Sequence, residues 1–187
     1  MTIELTQTDQ LDYLFDWLER SQVPEGYKTE IVDGVVVMWP QRDTHWDITI
    51  NIVGQLKERY PLKCLLSDVR VDYPGGLNGF ATDVTAVAKC ATRNSKGLRR
   101  WQDVEFVAEV ISKGTAANDY GPKKAAYATA EVPVYLIADP YTGQCHLFTQ
   151  PKDGDYLTTL TVPFGTKLDL TNTVVDLTLK TDEFPRD

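Results

Sequence analysis

The chain has 187 residues, 42% of them hydrophobic and 25% charged, the proportions of a soluble globular protein, and its length predicts one domain spanning 1–187. A formal net charge of −8 repels nucleic acid and anionic membrane as a whole-molecule field, which argues against a dedicated basic DNA-binding module but allows a local basic patch or metal ions that offset the acids. Three cysteines, Cys64, Cys90 and Cys145, without Cys-x-x-Cys spacing, disfavour a disulfide framework or a structural zinc site. With no leader-like start and no apolar run longer than "VPVYLIA", they predict a soluble cytoplasmic protein without a membrane span.

Residues 8–20, "TDQLDYLFDWLER", place Leu11, Leu14, Phe15 and Leu18 at helical spacing, with Thr8 or Asp9 as N-cap. Asp33-Gly34, between two β-rich runs, predicts a hairpin. "DTHWDITINIVGQLKERY" predicts a second helix, with Ile48, Ile52, Leu56 and Tyr60 forming an apolar stripe. Residues 63–73 and 81–88 are predicted strands joined by the loop "PGGLNG", and a polar loop over 89–103 follows. The strand "VEFVAEVIS", the helix "ANDYGPKKAAYATA" and the strand "VPVYLIADP" form a βαβ pattern, which requires at least one parallel pair. From Gln144 onward the pattern is of short strands, with turns at "PKDGD" and "PFGT". Together these predict an α/β protein of the α+β kind, a mixed central β-sheet flanked by helices.

Two acids interrupt apolar strands. Glu109 lies in "EFVAEVI" and Asp83 in "FATDVTAVA". An ionised carboxylate in such a strand is costly to bury without a partner or a metal. Adjacent strands that each deliver one carboxylate to a common edge form a hard-oxygen site suited to Mg²⁺ or Mn²⁺; either acid alone reads equally as a strand-end residue held by an arginine or a helix N-terminus. Asp119, Lys123 and Tyr127 follow at four-residue steps and share one helix face, and Pro122 fits a helix that begins near Asp119. Lys123 is then either half of a surface ion pair or an ammonium aimed back at the carboxylates.

The 89–103 loop carries five basic residues, Lys89, Arg93, Lys96, Arg99 and Arg100, against the single acid Asp103. It is a candidate phosphate-backbone contact through Arg93, Lys96, Arg99 and Arg100, with Trp101 available to stack on a base; the alternative is a solvated loop. His45 reads as a helix cap or core-edge group and His146 as structural. No Gly-x-Ser-x-Gly elbow or Gly-rich phosphate loop is present.

The order "EIVDGVVVMWP…H", "TDV", "AEVIS" and "DYGPKKAAY…VPVYLIADP" resembles the bacterial restriction-endonuclease group of the PD-(D/E)XK nuclease superfamily, over roughly residues 10–180. That resemblance implies a restriction-endonuclease-like fold. It matches Asp83 and Glu109 to the metal-binding acids, Glu30 to a supporting acid, Lys123 to a catalytic lysine moved onto the following helix, and His45 to a histidine opening the second helix. It further implies one or two Mg²⁺ (or Mn²⁺) ions held by Asp83, Glu109 and the Val110 carbonyl, and phosphodiester hydrolysis of nucleic acid. Separately, the strands predicted near the C-terminus offer edges for a homodimer, which would help such an enzyme address both strands of a duplex. Two positions depart from the pattern: Thr82 stands where proline precedes the aspartate, and Ile111 where a strand lysine is expected. A non-catalytic binding domain on the same fold, or a hydrolase of a small phosphorylated molecule, remain the alternatives.

Overall fold

Thr6 starts the first helix, two residues ahead of the caps expected from the sequence. Its side-chain oxygen accepts from the Asp9 amide at 3.2 Å, and the Asp9 carboxylate accepts from the Thr6 amide at 3.2 Å, a reciprocal capping box that opens α1 (Gln7–Arg20). The structure, a computed structural model, describes residues 6–187. The chain then runs through β1 (Tyr27–Val32) and β2 (Val35–Pro40) into α2 (Asp43–Leu56). Asp33 and Gly34 join the first two strands with φ of 48° and 77°, both left-handed as a type I′ turn requires.

After α2 come β3 (Leu65–Leu66), β4 (Val71–Tyr73), β5 (Asn78–Phe80), β6 (Val84–Val87), β7 (Arg99–Arg100) and β8 (Val104–Val110). The predicted strand over 63–73 is therefore two short strands in different sheets. Asp68 breaks it with a φ of 55°, a conformation no strand tolerates, and its carboxylate accepts from Gln41 at 3.1 Å. The predicted loop "PGGLNG" ends in β5, because the buried Asn78 side chain accepts from the Asp33 amide at 2.8 Å and ties this segment to the hairpin turn. Arg99–Arg100, inside the predicted polar loop, pairs in parallel with β4.

The helical segment after β8 starts at Ala116, before the expected Asp119. It comprises α3 (Ala116–Asn118), a π-turn over Asp119–Lys123 and α4 (Lys124–Thr129). The wider turn accommodates Pro122, which has no N–H and whose ring would clash in a regular α-turn. Then follow β9 (Val134–Asp139), β10 (Gln144–Lys152), β11 (Asp155–Pro163), β12 (Leu168–Asp169) and β13 (Thr178–Leu179). The expected short C-terminal strands thus include a hairpin of two nine-residue strands, turned at Asp153-Gly154.

The larger sheet has the order β11-β10-β9-β8-β6-β3; β8 and β9 form the parallel pair that the βαβ pattern predicts, and its other neighbours are antiparallel. A five-stranded sheet, β2-β1-β5-β4-β7, and the small β12-β13 pair complete the mixed α+β architecture. The core gathers Ile48, Ile52 and Leu56 of α2 with Phe106, Leu136 and Ile137 of the larger sheet. Leu11 and Leu18 of α1 cover Ile31 of the smaller one. Gly79 makes that contact possible, since a Cβ there would run into the Phe15 ring.

Candidate active site

β6 and β8 are antiparallel neighbours with Val84 opposite Ala108, so the chain brings Asp83 and Glu109 side by side at the end of the β6–β8 ladder. The Asp83 amide donates to Glu109 Oε2 at 3.3 Å, and the Val110 amide donates to Asp83 Oδ2 at 2.7 Å. Val110 thus enters the site through its N–H. Both acids are buried, Asp83 at 4% and Glu109 at 2% exposure. The sequence expectation that two strands deliver their carboxylates to one edge matches this geometry.

Two buried lysines divide the acids between them. Lys123 Nζ stands 2.7 Å from Glu109 Oε1, 2.8 Å from Glu30 Oε2 and 3.0 Å from Asp119 Oδ1. Of these three contacts, the one to Glu30 is a formed hydrogen bond, and those to Glu109 and Asp119 are close ion pairs. Lys123 is 1% exposed, so the surface ion pair considered from sequence is excluded; its charge also lies 5.6 Å from the Phe80 ring and 5.9 Å from the Trp39 ring. Glu30 Oε1 accepts from the Ala81 amide at 2.8 Å, and the Tyr127 hydroxyl donates to Glu109 Oε1 at 2.5 Å.

Lys28 serves the other side. Its Nζ lies 2.6 Å from Asp83 Oδ1 and 2.9 Å from Asp68 Oδ1. His45, in the first turn of α2, brings Nε2 to 2.8 Å from the same Asp83 oxygen, off the hydrogen-bond axis, so the contact is close without being a formed hydrogen bond. Sequence reasoning missed Lys28 and Asp68. Lys28 carried a signal: it stands two residues before Glu30 in β1, and alternation puts both on one face. Asp68 carried none, because it acts from a break between strands.

Burial opposes ionisation of Asp83, but Lys28 and His45 overcome it and hold the carboxyl below the ordinary range. Glu109 goes the other way: burial pushes it up to about 8, against the pull of Lys123 and with the help of Glu30, Asp83 and Asp119. Asp119 is raised for the same first reason, burial. Burial also works against charge on Lys123, yet Asp119, Glu109 and Glu30 outweigh it and raise its pKa. Three carboxylates share one ammonium, so this group retains a proton that belongs to the cluster more than to any one acid.

The donor set fits a hard divalent cation in kind: Asp83 stays ionised, neighbours a second carboxylate, and already carries a cation, the Lys28 ammonium. Among the described residues no three His, Cys, Asp or Glu side chains form a metal cage. This leaves one or two carboxylates with water or substrate oxygens, the usual manner in which proteins hold Mg²⁺. Beside Asp83 opens a cavity of about 100 Å³, bordered by His45, Thr49, Ser67 and Asp68. A larger cavity of about 450 Å³, between α2 and the C-terminal segment, is lined by none of these carboxylates.

The basic loop belongs to the other sheet, through the β4–β7 pair. Arg93 donates to the Gly97 carbonyl at 2.5 Å, Arg99 to the Lys63 carbonyl at 2.9 Å and Arg100 to Thr92 at 3.5 Å, while Lys96 is ion-paired to Asp12 of α1. Arg99, Arg100 and Trp101 line one cavity of about 370 Å³ with Asp72.

The architecture, with an acid at adjacent edges of β6 and β8 and a lysine on the following helix, is a restriction-endonuclease-like fold. The Uma2 family model, described as "Putative restriction endonuclease", matches residues 12–182, and the chain belongs to that family. Among solved structures it is similar to a "putative nuclease belonging to DUF820" from Anabaena variabilis, with a TM-score of 0.68 and 11% identity over 97% of each chain. No curated protein matches the sequence. Among the described residues no helix is long and apolar enough to cross a membrane.

Proposed function

We propose that the protein is a metal-dependent nuclease that hydrolyses phosphodiester bonds of nucleic acid. The observation that carries this reading is the Asp83–Glu109 pair, two buried carboxylates on neighbouring strands, linked through the Asp83 amide and each within reach of a buried lysine. Family membership supports it. Asp83 and Glu109, with the Val110 carbonyl as a further hard oxygen, would hold Mg²⁺ or Mn²⁺. The bound ion would supply Lewis acidity to a phosphoryl oxygen and to the attacking water.

The chain's own residues prepare that site. Lys123, ion-paired to three carboxylates, offsets the charge of Glu109, and Tyr127 fixes its Oε1 atom through a hydrogen bond. Glu30 holds Lys123 in place from β1 and is itself held by the Ala81 amide. Lys123 is thus a positioning residue in the resting protein. Arg93, Lys96, Arg99 and Arg100 are the proposed backbone contacts, and each is tied internally, Lys96 to both Asp12 and Asp9. A homodimer would suit cleavage of both strands. The nine-residue edge strand β11, with Leu157 at 67% and Leu160 at 44% exposure, offers a second copy an unpaired ladder.

A second reading is favoured by a specific observation: the cavity beside Asp83 is only about 100 Å³ and the net charge is −8, which suits a small phosphorylated molecule. The test is cleavage of single- and double-stranded DNA and RNA with Mg²⁺ or Mn²⁺, by wild type, Asp83→Asn and Glu109→Gln. Cleavage lost in both variants is expected. Binding to a polynucleotide should also weaken steeply with salt as counterions are released. Failure to cleave any polynucleotide, beside turnover of small phosphate esters, would replace the first reading with the second.

A further inference from the structure

The cation beside Asp83 comes from the chain itself, which has a consequence for any ion that binds there. Lys28 is buried, its side chain 3% exposed, and its ammonium bridges the buried Asp83 and the half-exposed Asp68. Asp83, whose Oδ1 it occupies, is one of the residues that line the 100 Å³ cavity. Thr49, buried at 3% exposure, lines the same cavity with a hydroxyl that has no hydrogen-bond partner. A buried hydroxyl without a partner marks a place where a solvent molecule or ligand oxygen belongs.

We infer that Lys28 is a resident counter-ion of Asp83 that a divalent metal ion must displace towards Asp68, so that this lysine sets the metal affinity of the site. The inference rests on the proposed metal at Asp83. An ammonium at 2.6 Å and a dication on the same carboxylate oxygen repel each other, so the ion is held more tightly once the ammonium has moved away. Lys28 has somewhere to go: Asp68 is 43% exposed and borders the cavity, and the lysine's four-carbon stem can swing its charge onto that partner alone. The ammonium would then stay paired while Asp83 becomes free. In the metal-free protein the same lysine keeps Asp83 ionised and oriented, ready for the exchange.

The test is calorimetric titration of Mn²⁺, repeated with Mg²⁺, into wild type, Lys28→Met, Lys28→Arg and Asp83→Asn. Removing the competitor is expected to tighten binding about tenfold or more in Lys28→Met. Arginine, which holds a carboxylate through two parallel bonds and cannot be deprotonated, is expected to weaken it. Thermal unfolding supplies a second readout: Lys28→Met should melt below wild type without metal and gain more from Mn²⁺ than wild type does. Wild-type binding that is lost in Asp83→Asn but equal or weaker in Lys28→Met would overturn the role of Lys28 and leave the metal reading intact. Binding that survives Asp83→Asn, or none in wild type, would overturn both. If Lys28→Met does not fold even with Mn²⁺, the arginine variant decides: affinity at or above wild type rejects the inference.

Discussion

The Lys123 ammonium stands 2.7 Å from Glu109 Oε1, both groups nearly sealed from solvent. The pair joins β8 to the π-turn of the helical segment that follows it, which carries the lysine. Glu30, from the other sheet, completes the link at 2.8 Å, so one side chain fastens the two sheets at the candidate site.

Replacing Lys123 by methionine should therefore destabilise the protein by about 3–5 kcal/mol, the cost of leaving buried carboxylates without their cation. Lys124→Met is the control. Lys124 also forms an ion pair, at 2.7 Å to Asp155, but Asp155 is 69% exposed, and its loss should change stability by about 1 kcal/mol or less. Urea denaturation at neutral pH measures both.

The Glu109 cluster also predicts a pH dependence for the metal-free protein. Glu109 is raised from an ordinary 4.5 to about 8, chiefly by burial, so between those values the folded state holds a proton that the unfolded state has released. Stability from this group is complete below about 4.5 and is lost as pH rises towards 8. Thermal unfolding in a chelator should show Tm falling across that interval, by about 2–4 °C for each kcal/mol lost in a chain of this size. Glu109→Gln, which cannot ionise, should flatten the curve there.

Much of this site was legible in the sequence because buried charge is rare in a strand. Asp83 and Glu109 stood out as acids in apolar runs, and the Asp119–Lys123–Tyr127 spacing survives the π-turn well enough for Lys123 to reach both Asp119 and Glu109 and for Tyr127 to reach Glu109. The hairpin at Asp33-Gly34 and the parallel β8–β9 pair follow from turn chemistry and from the length of the crossover. What escaped depends on contacts distant in sequence. Asn78 turns a glycine-rich segment into a strand by binding the Asp33 amide 45 residues away, and Asp68 ends a strand to reach Lys28. No local pattern encodes either. The basic loop showed the opposite limit: its charges were visible, but their internal partners, Asp12 above all, were not.

Gly79 tests the seam between α1 and the smaller sheet. A methyl group there meets the Phe15 ring and lies 3.4 Å from Leu11. Gly79→Ala should lift α1 from β5 at a cost of about 1–3 kcal/mol, the usual penalty for overpacking. Phe15→Leu, by shortening the opposing side chain, should recover part of that loss in the double variant. A double-mutant cycle by chemical denaturation reads the coupling, and additive costs would show that the ring does not set the limit.

Tyr127→Phe isolates one hydrogen bond at the heart of the site. The ring packs against Phe80 at 5.5 Å and Tyr135 at 4.8 Å between centroids, contacts that phenylalanine keeps. Only the hydroxyl on Glu109 Oε1 is lost, at 2.5 Å. A hydrogen bond to a charged acceptor contributes about 1.5–3 kcal/mol, so stability above the titration of Glu109 should fall by that order. Below it the carboxyl is neutral and the loss should be smaller. Removing a donor from the charged form also raises the carboxyl's pKa further. The upper end of the interval over which Tm declines should therefore move upward, while its lower end, set by the unfolded carboxyl, stays in place; unfolding curves in a chelator from pH 5 to 9 would show the decline continuing past the pH at which wild type levels off. A decline that levels off at the same pH as in wild type, beside a uniform loss of stability, would mean that Tyr127 supports the packing around Glu109 without acting on its charge.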